Sequence, residues 1–352
     1  MKILIRTDSS QRIGSGHLMR CLTLADALRR QGCEVHFISR PHPGHNLRLV
    51  EQAGYPLLQL PLHPAQEPLA GYQNWLGCTE QQDARDCLTQ LKTTYQWLIV
   101  DHYGLAANFC QQLRARCQRV MVIDDLANRT HDCELLLDQN LLPNYQQRYA
   151  ALLPTHCQPL LGPEFALLRD EFYQADAVER TPAHILVFFG GSDPYGLTRL
   201  ALDAILTLQE PAVTADIVIG EAHPERQALQ QRCASSKRLE LHVQCQNMAH
   251  LMRKAQLMLG AGGSTHWERC ISALPALVVT VADNQVATTR HLQQLGACHW
   301  LGPASEQSAA SFKAALSHWL SQEAQLKQMG QCAARLVPKS GGTRAVVRHL
   351  LV

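Results

Sequence analysis

The feature that most limits what this chain can become is a cycle that runs twice. Short apolar runs alternate with helical stripes: "KILIRT", "GHLMRCLTLADALRRQG", "EVHFISR", "NLRLVEQAG", "PLLQLP", "QQDARDCLTQLKTT", "WLIVDHYG", "AANFCQQLRARC", "RVMVIDDLA", "CELLLDQN" and "PNYQQRYAALL". In the first helical stretch Leu18, Cys21, Leu22, Leu24, Ala25 and Leu28 share one face, and Gly32 marks the stop. The span 61–77, with its Pro, Gly and His, reads as a loop. Over residues 168–183 charge and proline replace the pattern. It then restarts at "HILVFFGGSD" and runs through "LMLGAGGSTHWERCISALP" and "ALVVTVADNQ" to a closing helix, "GGTRAVVRHLLV". Unbroken apolar strands separated by helices predict parallel sheets covered on both faces. The expected fold is α/β, with two Rossmann-like domains at 1–168 and 182–352 and a linker at 169–181. The closing helix is free to pack back on the first domain. Ligand chemistry is expected at the C-terminal ends of the strands and in a cleft between the halves.

Composition narrows the functional classes. A chain of 352 residues exceeds one ordinary core, and 46% hydrophobic with 18% charged residues reads as globular. The net charge is +2 without a Lys/Arg block, so no nucleic-acid partner is expected. An apolar run of about 18 residues is missing, so no membrane insertion is expected. "MKILIRTDSS" reads as a strand, not a signal peptide. The 13 cysteines are scattered without a CxxC, which suits buried thiols in a reducing cytoplasm. The 17 histidines form no HExxH, and neither a metal nor a cofactor is expected. The chain is expected to act as a monomer on a small-molecule substrate.

Five stretches carry the candidate chemistry. In "RIGSGHLMR", Gly14 and Gly16 sit where a strand turns into a helix. They free the backbone for close approach, and the helix N–H groups favour an anion. The spacing is neither GxGxxG nor GxxxxGK[ST]. His17 feels the positive helix end, which favours a neutral imidazole suited to a general base. Asp8 either orients the ring or offsets that effect, and Arg20 joins the substrate-contacting set. The plain alternative is an ordinary turn with a surface histidine. "GAGGSTHWE" repeats the strand–glycine–helix logic with Gly260, Gly262 and Gly263. Ser264 or Thr265 opens its helix, and Glu268 reads as a ribose acceptor or a capping-box glutamate. In "FFGGSD", Gly190 and Gly191 permit close approach by a diphosphate or sugar, or simply make a tight turn. "IVDHYG" and "ADNQ" end strands with Asp101, His102, Tyr103, Asn284 and Gln285. The neighbouring acids Asp124 and Asp125 point to opposite faces of a strand and read as structural.

In that order, "RTDSSQRIGSGHLMRCLTLADAL", "VDHYG", "LLGPEFALLRDEFY", "FFGGSD", "GAGGSTHWE" and "DNQ" resemble the UDP-2,4-diacetamido-2,4,6-trideoxy-β-L-altropyranose hydrolases of pseudaminic acid biosynthesis. That family is related to the GT-B glycosyltransferases of the MurG type. The resemblance covers nearly the whole chain and implies a GT-B fold. It also implies cleavage of the sugar C1–O bond by water, with inversion and release of UDP. It places catalytic roles on His17, Tyr103 and Asn284, and UDP binding on Gly263, Ser264, Thr265 and Glu268. Asp8, Gly14, Gly16, Arg20, Asp101, Gly190, Gly191 and Gln285 complete the expected substrate contacts. Where relatives carry small residues and an asparagine before the glutamate, this chain has His266 and Trp267. A MurG-like glycosyltransferase and a non-catalytic nucleotide-sugar binder remain the alternatives.

Overall fold

The computed structural model describes residues 1–63, 71–174, 178–208 and 213–352. It divides into two compact units. The first comprises Met1–Asn140, Asn144–Leu167 and Ser340–Val352; the second comprises Leu141–Pro143 and Leu168–Lys339. Residues 169–180 therefore group with the second unit, and 340–352 leave the expected second domain for the first.

The first unit holds β1 (Lys2–Thr7), β2 (Glu34–Ser39), β3 (Leu57–Gln59), β4 (Tyr95–Asp101), β5 (Cys117–Ile123), β6 (Leu135–Asp138) and β7 (Gln158–Leu161). They form one parallel sheet in the order β3-β2-β1-β4-β5-β6-β7, with Ile5 opposite both Phe37 and Ile99. Its helices are α1 (Gly16–Arg30), α2 (Arg48–Gln52), α3 (Gln73–Leu76), α4 (Glu80–Gln90) and α5 (Ala107–Leu113). The second unit repeats the plan with β8 (Thr181–Phe188), β9 (Thr214–Ile219), β10 (Leu239–Val243), β11 (Ala255–Ala261), β12 (Ala276–Thr280) and β13 (His299–Pro303). Its order is β10-β9-β8-β11-β12-β13. Its helices are α6 (Leu197–Thr207), α7 (Arg226–Ala234), α8 (Met248–Lys254), α9 (Thr265–Ile271), α10 (Val286–Gln294), α11 (Ala309–Leu320) and α12 (Glu323–Ala334); α13 (Thr343–Leu351) closes the chain within the first unit.

Strand alternation explains why the apolar runs are unbroken. Ile3, Ile5, Trp97 and Ile99 face one core layer, whereas Leu4, Leu98 and Val100 face the other. The first layer packs Leu18, Leu24 and Leu28 of α1 with Val346 and Leu350 of α13, and Trp97 Nε1 donates to the Leu350 carbonyl at 2.9 Å. Gly32, at φ 78°, ends α1 as expected. All 13 cysteines are free thiols, and ten are buried.

Three sequence expectations are corrected. "PNYQQRYAALL" is a run of turns, not a helix. Its consecutive Arg148 and Tyr149 both reach inward, to Asp138 at 2.5 Å and to Asp124 at 3.0 Å, which side chains about 100° apart on a helix do not do. The span 61–77 contains α3, and its residues 64–70 lie outside the described residues. Two edge strands, β7 and β13, escape the apolar pattern because each is short and carries a proline, which an edge tolerates.

In each sheet one crossover reverses direction, between β1 and β4 and between β8 and β11. These are the points where α/β sheets bind ligands, beyond the strand ends. "RIGSGHLMR" follows β1, "VDHYG" ends β4, "FFGGSD" ends β8 and "GAGGS" ends β11.

Candidate active site

In the first unit, Gly14 takes φ 75° and donates to the Ser10 carbonyl at 2.9 Å, closing the turn that starts α1. Gly16 opens the helix without a positive φ, and no Cβ neighbour lies within 4 Å of either glycine. His17 follows, 8% exposed. Its Nδ1 lies 2.5 Å from Asp101 Oδ1. A carboxylate only accepts, so Nδ1 carries a proton, and in the neutral ring the lone pair is then on Nε2. Nε2 makes no hydrogen bond among the described residues. Arg20 Nη2, 3.2 Å from Nδ1, has its own acceptor in Asp101 Oδ1 at 2.6 Å. With Arg20 Nε on Oδ2 at 2.6 Å, the guanidinium grips the carboxylate by both oxygens. Burial pushes the Asp101 carboxyl up, but Arg20 and His17 outweigh it and hold it well below the usual range.

Tyr103 stands edge-on to His17, with ring centroids 4.6 Å apart. Its hydroxyl donates to Asp125 Oδ1 at 2.5 Å, and Arg20 Nη1 donates to Asp125 Oδ2 at 3.4 Å. Burial first and the Asp125 charge second push the phenol well above its ordinary value, so it stays a neutral donor.

Three expected substrate contacts thus acquire different positions. Asp101 is fully buried, and its oxygens are met by His17, Arg20 and Cys21. Arg20 is spent on Asp101 and Asp125. Asp8 does not touch His17; it is fully buried against Arg6 at 2.5 Å, Ser39 at 3.0 Å and the Arg40 N–H at 2.8 Å. Asp125, read from sequence as structural, belongs to the cluster. The opposite-face argument does not apply, because both acids lie beyond the end of β5; Asp124 meets Arg129 at 2.7 Å and Asp125 meets Tyr103. Its place just beyond the end of β5 was the available signal.

In the second unit, Gly263 takes φ 88° and starts α9. Ser264 is helical and makes no side-chain cap, so α9 begins on backbone groups alone. Thr265 is buried at the first helical position. The capping-box position three residues after Ser264 is Trp267, which excludes that role for Glu268. Glu268 instead meets Arg169 at 3.4 Å, and burial raises its carboxyl. Gln285 Oε1 accepts from the Val281 N–H at 3.0 Å and lies 3.2 Å from where a Cβ on Gly262 would be, tying the end of β12 to this turn. Asn284, beside it in the 3-10 turn Asp283–Gln285, is exposed.

His266 and Trp267 point into the fold. Burial first, then Arg269, push the His266 imidazole well below its usual value. Its Nδ1 accepts from Arg269 at 3.1 Å, and its Nε2 donates to Thr289 at 3.1 Å. Trp267 is fully buried. The larger side chains are therefore accommodated inside the unit, with His266 Nε2 3.2 Å from where a Cβ on Gly262 would be.

The other glycine turn differs. Gly190 takes φ 92° with open space beside it, and the Gly191 carbonyl accepts from Gly220 N at 2.9 Å. But α6 is capped by Asp193, whose carboxylate accepts from Leu197 N at 3.0 Å and Thr198 N at 2.6 Å. That negative charge stands where a phosphate would otherwise bind the helix end.

Two clusters among the described residues have metal-ligand chemistry, His63–Cys78–Asp86 and Asp216–Glu240–His242. Each carries a carboxylate already held by a cation: Asp86 by Arg40 at 2.9 Å, and Asp216 by Lys254 at 3.0 Å. Neither includes a residue of the His17 cluster. Among the described residues, no helix is long and apolar enough to cross a membrane.

The fold has close counterparts among solved structures. MurG of Acinetobacter baumannii superposes with a TM-score of 0.65 over 99% of both chains at 18% identity. The spinosyn rhamnosyltransferase SpnG superposes at 0.63 over the whole of both chains at 20% identity. The fold is GT-B. Among sequences, this GT-B chain is 25% identical over 298 residues to the UDP-2,4-diacetamido-2,4,6-trideoxy-beta-L-altropyranose hydrolase of Campylobacter jejuni, covering 84% of this chain and 97% of that one. No family model matches the chain.

Proposed function

We propose that the protein hydrolyses the anomeric C1–O bond of UDP-2,4-diacetamido-2,4,6-trideoxy-β-L-altropyranose with inversion. UDP and the free sugar, an intermediate of pseudaminic acid biosynthesis, are released. The observation that carries the reading is the Arg20–Asp101–His17 relay, which leaves Nε2 as the basic nitrogen at the ligand end of the first sheet. The similarity to the Campylobacter hydrolase over most of both chains supports it.

In this reading His17 Nε2 takes a proton from water as its oxygen bonds to C1. The C1–O bond to the diphosphate breaks, and its electron pair leaves with UDP. UDP is a stable leaving group, so the second carboxylic acid of ordinary glycosidases is not needed. The growing imidazolium charge is met by the ionised Asp101. Tyr103 packs against the ring and Asn284 contacts the sugar or water. The Gly263–Thr265 turn is assigned the diphosphate, because Asp193 already fills the start of α6. Glu268 is assigned the ribose hydroxyls and Gln285 the support of the turn. Gly14, Gly16, Gly190 and Gly191 leave room for substrate.

The deciding experiment is one incubation of the UDP-sugar in H₂¹⁸O, read by NMR and mass spectrometry. Free sugar carrying ¹⁸O at C1 with the opposite anomeric configuration is expected. Label in UDP would mean attack at phosphorus and would overturn the assignment. The GT-B neighbours are glycosyltransferases, which favours sugar transfer as a second reading. It requires transfer to an added acceptor to outrun hydrolysis. Intact substrate after long incubation would leave binding alone.

A further inference from the structure

Beyond the polar side held by Asp101 and Arg20, His17 also meets an aromatic surface. Tyr103, in contact with His17, is the inner member of a three-ring panel. Tyr72 lies 5.0 Å from Tyr103 and 4.8 Å from Trp75, and Trp75 lies 5.5 Å from Tyr103, centroid to centroid. Tyr103 is buried, whereas Tyr72 and Trp75 are half-buried. Indole and phenol rings of this size are ordinarily covered when they belong to a core.

The panel is built into the fold. A Cβ on Gly104 would fall 2.8 Å from the Tyr72 carbonyl, so only glycine at the end of β4 lets this segment seat itself there. Leu76 anchors α3 in the core layer formed by Leu98, Val100 and Phe109. Gly77, at φ 73°, ends α3 immediately after that anchor. The Tyr103 hydroxyl is committed to Asp125, which leaves ring surface rather than a donor beside His17.

We infer that the Tyr72–Trp75–Tyr103 panel is a subsite for the apolar substituents of the sugar, selecting deoxy, acetamido-bearing sugars over hydroxylated ones. This rests on His17 being the base for a UDP-sugar. Aromatic faces accept methyl and C–H groups, but a hydroxyl pressed against them loses its water without gaining a partner. A sugar with a C6 methyl and two acetyl methyls suits such a wall; one with a C6 hydroxyl does not.

The test compares two substrates: the trideoxy UDP-sugar and its analogue carrying a hydroxyl at C6. Wild-type kcat/KM is expected to favour the methyl sugar by about tenfold or more. Trp75→Ala and Tyr72→Ala are expected to bring the ratio towards one. Trp75→Phe, which keeps an aromatic face and guards against misfolding of the smaller variant, is expected to hold most of it. Equal rates in wild type overturn the subsite, as does an unchanged ratio in folded alanine variants. If wild type leaves both sugars intact, the hydrolase reading falls. The ratio of their dissociation constants, by calorimetry, then decides the panel: equal binding overturns it and a methyl preference lost in Trp75→Ala supports it.

Discussion

Asp8 and Asp101 invite comparison. Both stand at the C-terminal ends of adjacent strands, both are fully buried, each grips an arginine, and each faces histidine. At Asp101 the histidine nitrogen lies 2.5 Å away at the start of a helix, and its other nitrogen makes no hydrogen bond among the described residues. At Asp8 the Nε2 atoms of His42 and His102 lie 3.4 and 3.5 Å away. His102 Nδ1 accepts from Gly104 N at 3.0 Å, and its Nε2 is buried. The same three residue types thus make the base proposed for catalysis in one place and a closed structural knot in the other. The difference lies in which nitrogen the fold leaves open. Arg6 adds to the knot by bonding Asp83 at 2.8 Å, which in turn meets Arg40 at 2.7 Å.

The largest effect is expected at His17. His17→Ala should lower kcat/KM for UDP release by about a thousandfold, within the range for loss of a general base, while UDP affinity changes by less than about threefold. Near-wild-type turnover would remove the distinction between the two clusters. Asp101→Asn should cost about a hundredfold in kcat. One amide oxygen cannot satisfy Arg20 and Nδ1–H together, so the amide NH₂ turns to Nδ1 and moves the ring proton to Nε2. NMR of labelled histidine should report that tautomer.

The reverse is expected at Asp8. Asp8→Asn leaves Arg6 with a single buried carboxylate and should reduce stability by about 3 kcal/mol in urea unfolding. Activity per folded molecule should change less than about threefold. A loss matching that of Asp101→Asn would mean that both carboxylates serve the chemistry.

The sheets, both glycine turns and the place of His17 at the start of α1 are legible in the sequence because they follow from periodicity and from glycine's place between strand and helix. The division of labour among polar residues is not. A strand-end aspartate reads alike whether it meets a substrate, as expected of Asp8 and Asp101, or another side chain, as found. The positive end of α1 suggests a neutral His17, but the tautomer depends on Asp101, 84 residues away. Asp125 is hidden by its twin Asp124, since only the fold shows which of the two joins Tyr103 and Arg20. Ser264 has the right chemistry for a helix cap but the wrong backbone, because Gly263 already makes the turn and carries Ser264 into the helix.

The smallest expected effect isolates the closed histidine. Burial, opposed by Asp8, pushes the His102 imidazole down to about 3 from an ordinary 6.5. The unfolded chain therefore takes up this proton as pH falls through 6.5, and the native protein only near 3. Between those values the unfolded state binds more protons, so stability falls as pH falls, by at most about 1.4 kcal/mol per pH unit from this group. His102→Asn keeps an acceptor for the Gly104 N–H but cannot titrate. Urea midpoints at pH 7, 6 and 5 should decline more gently in the variant than in wild type. Buried His266, also held low, contributes equally to both proteins and cancels. The carboxyls of Asp8 and Asp101, held below their ordinary 3.8, lose their contribution only at lower pH. Parallel midpoint curves would show that His102 is not the closed, neutral counterpart of His17.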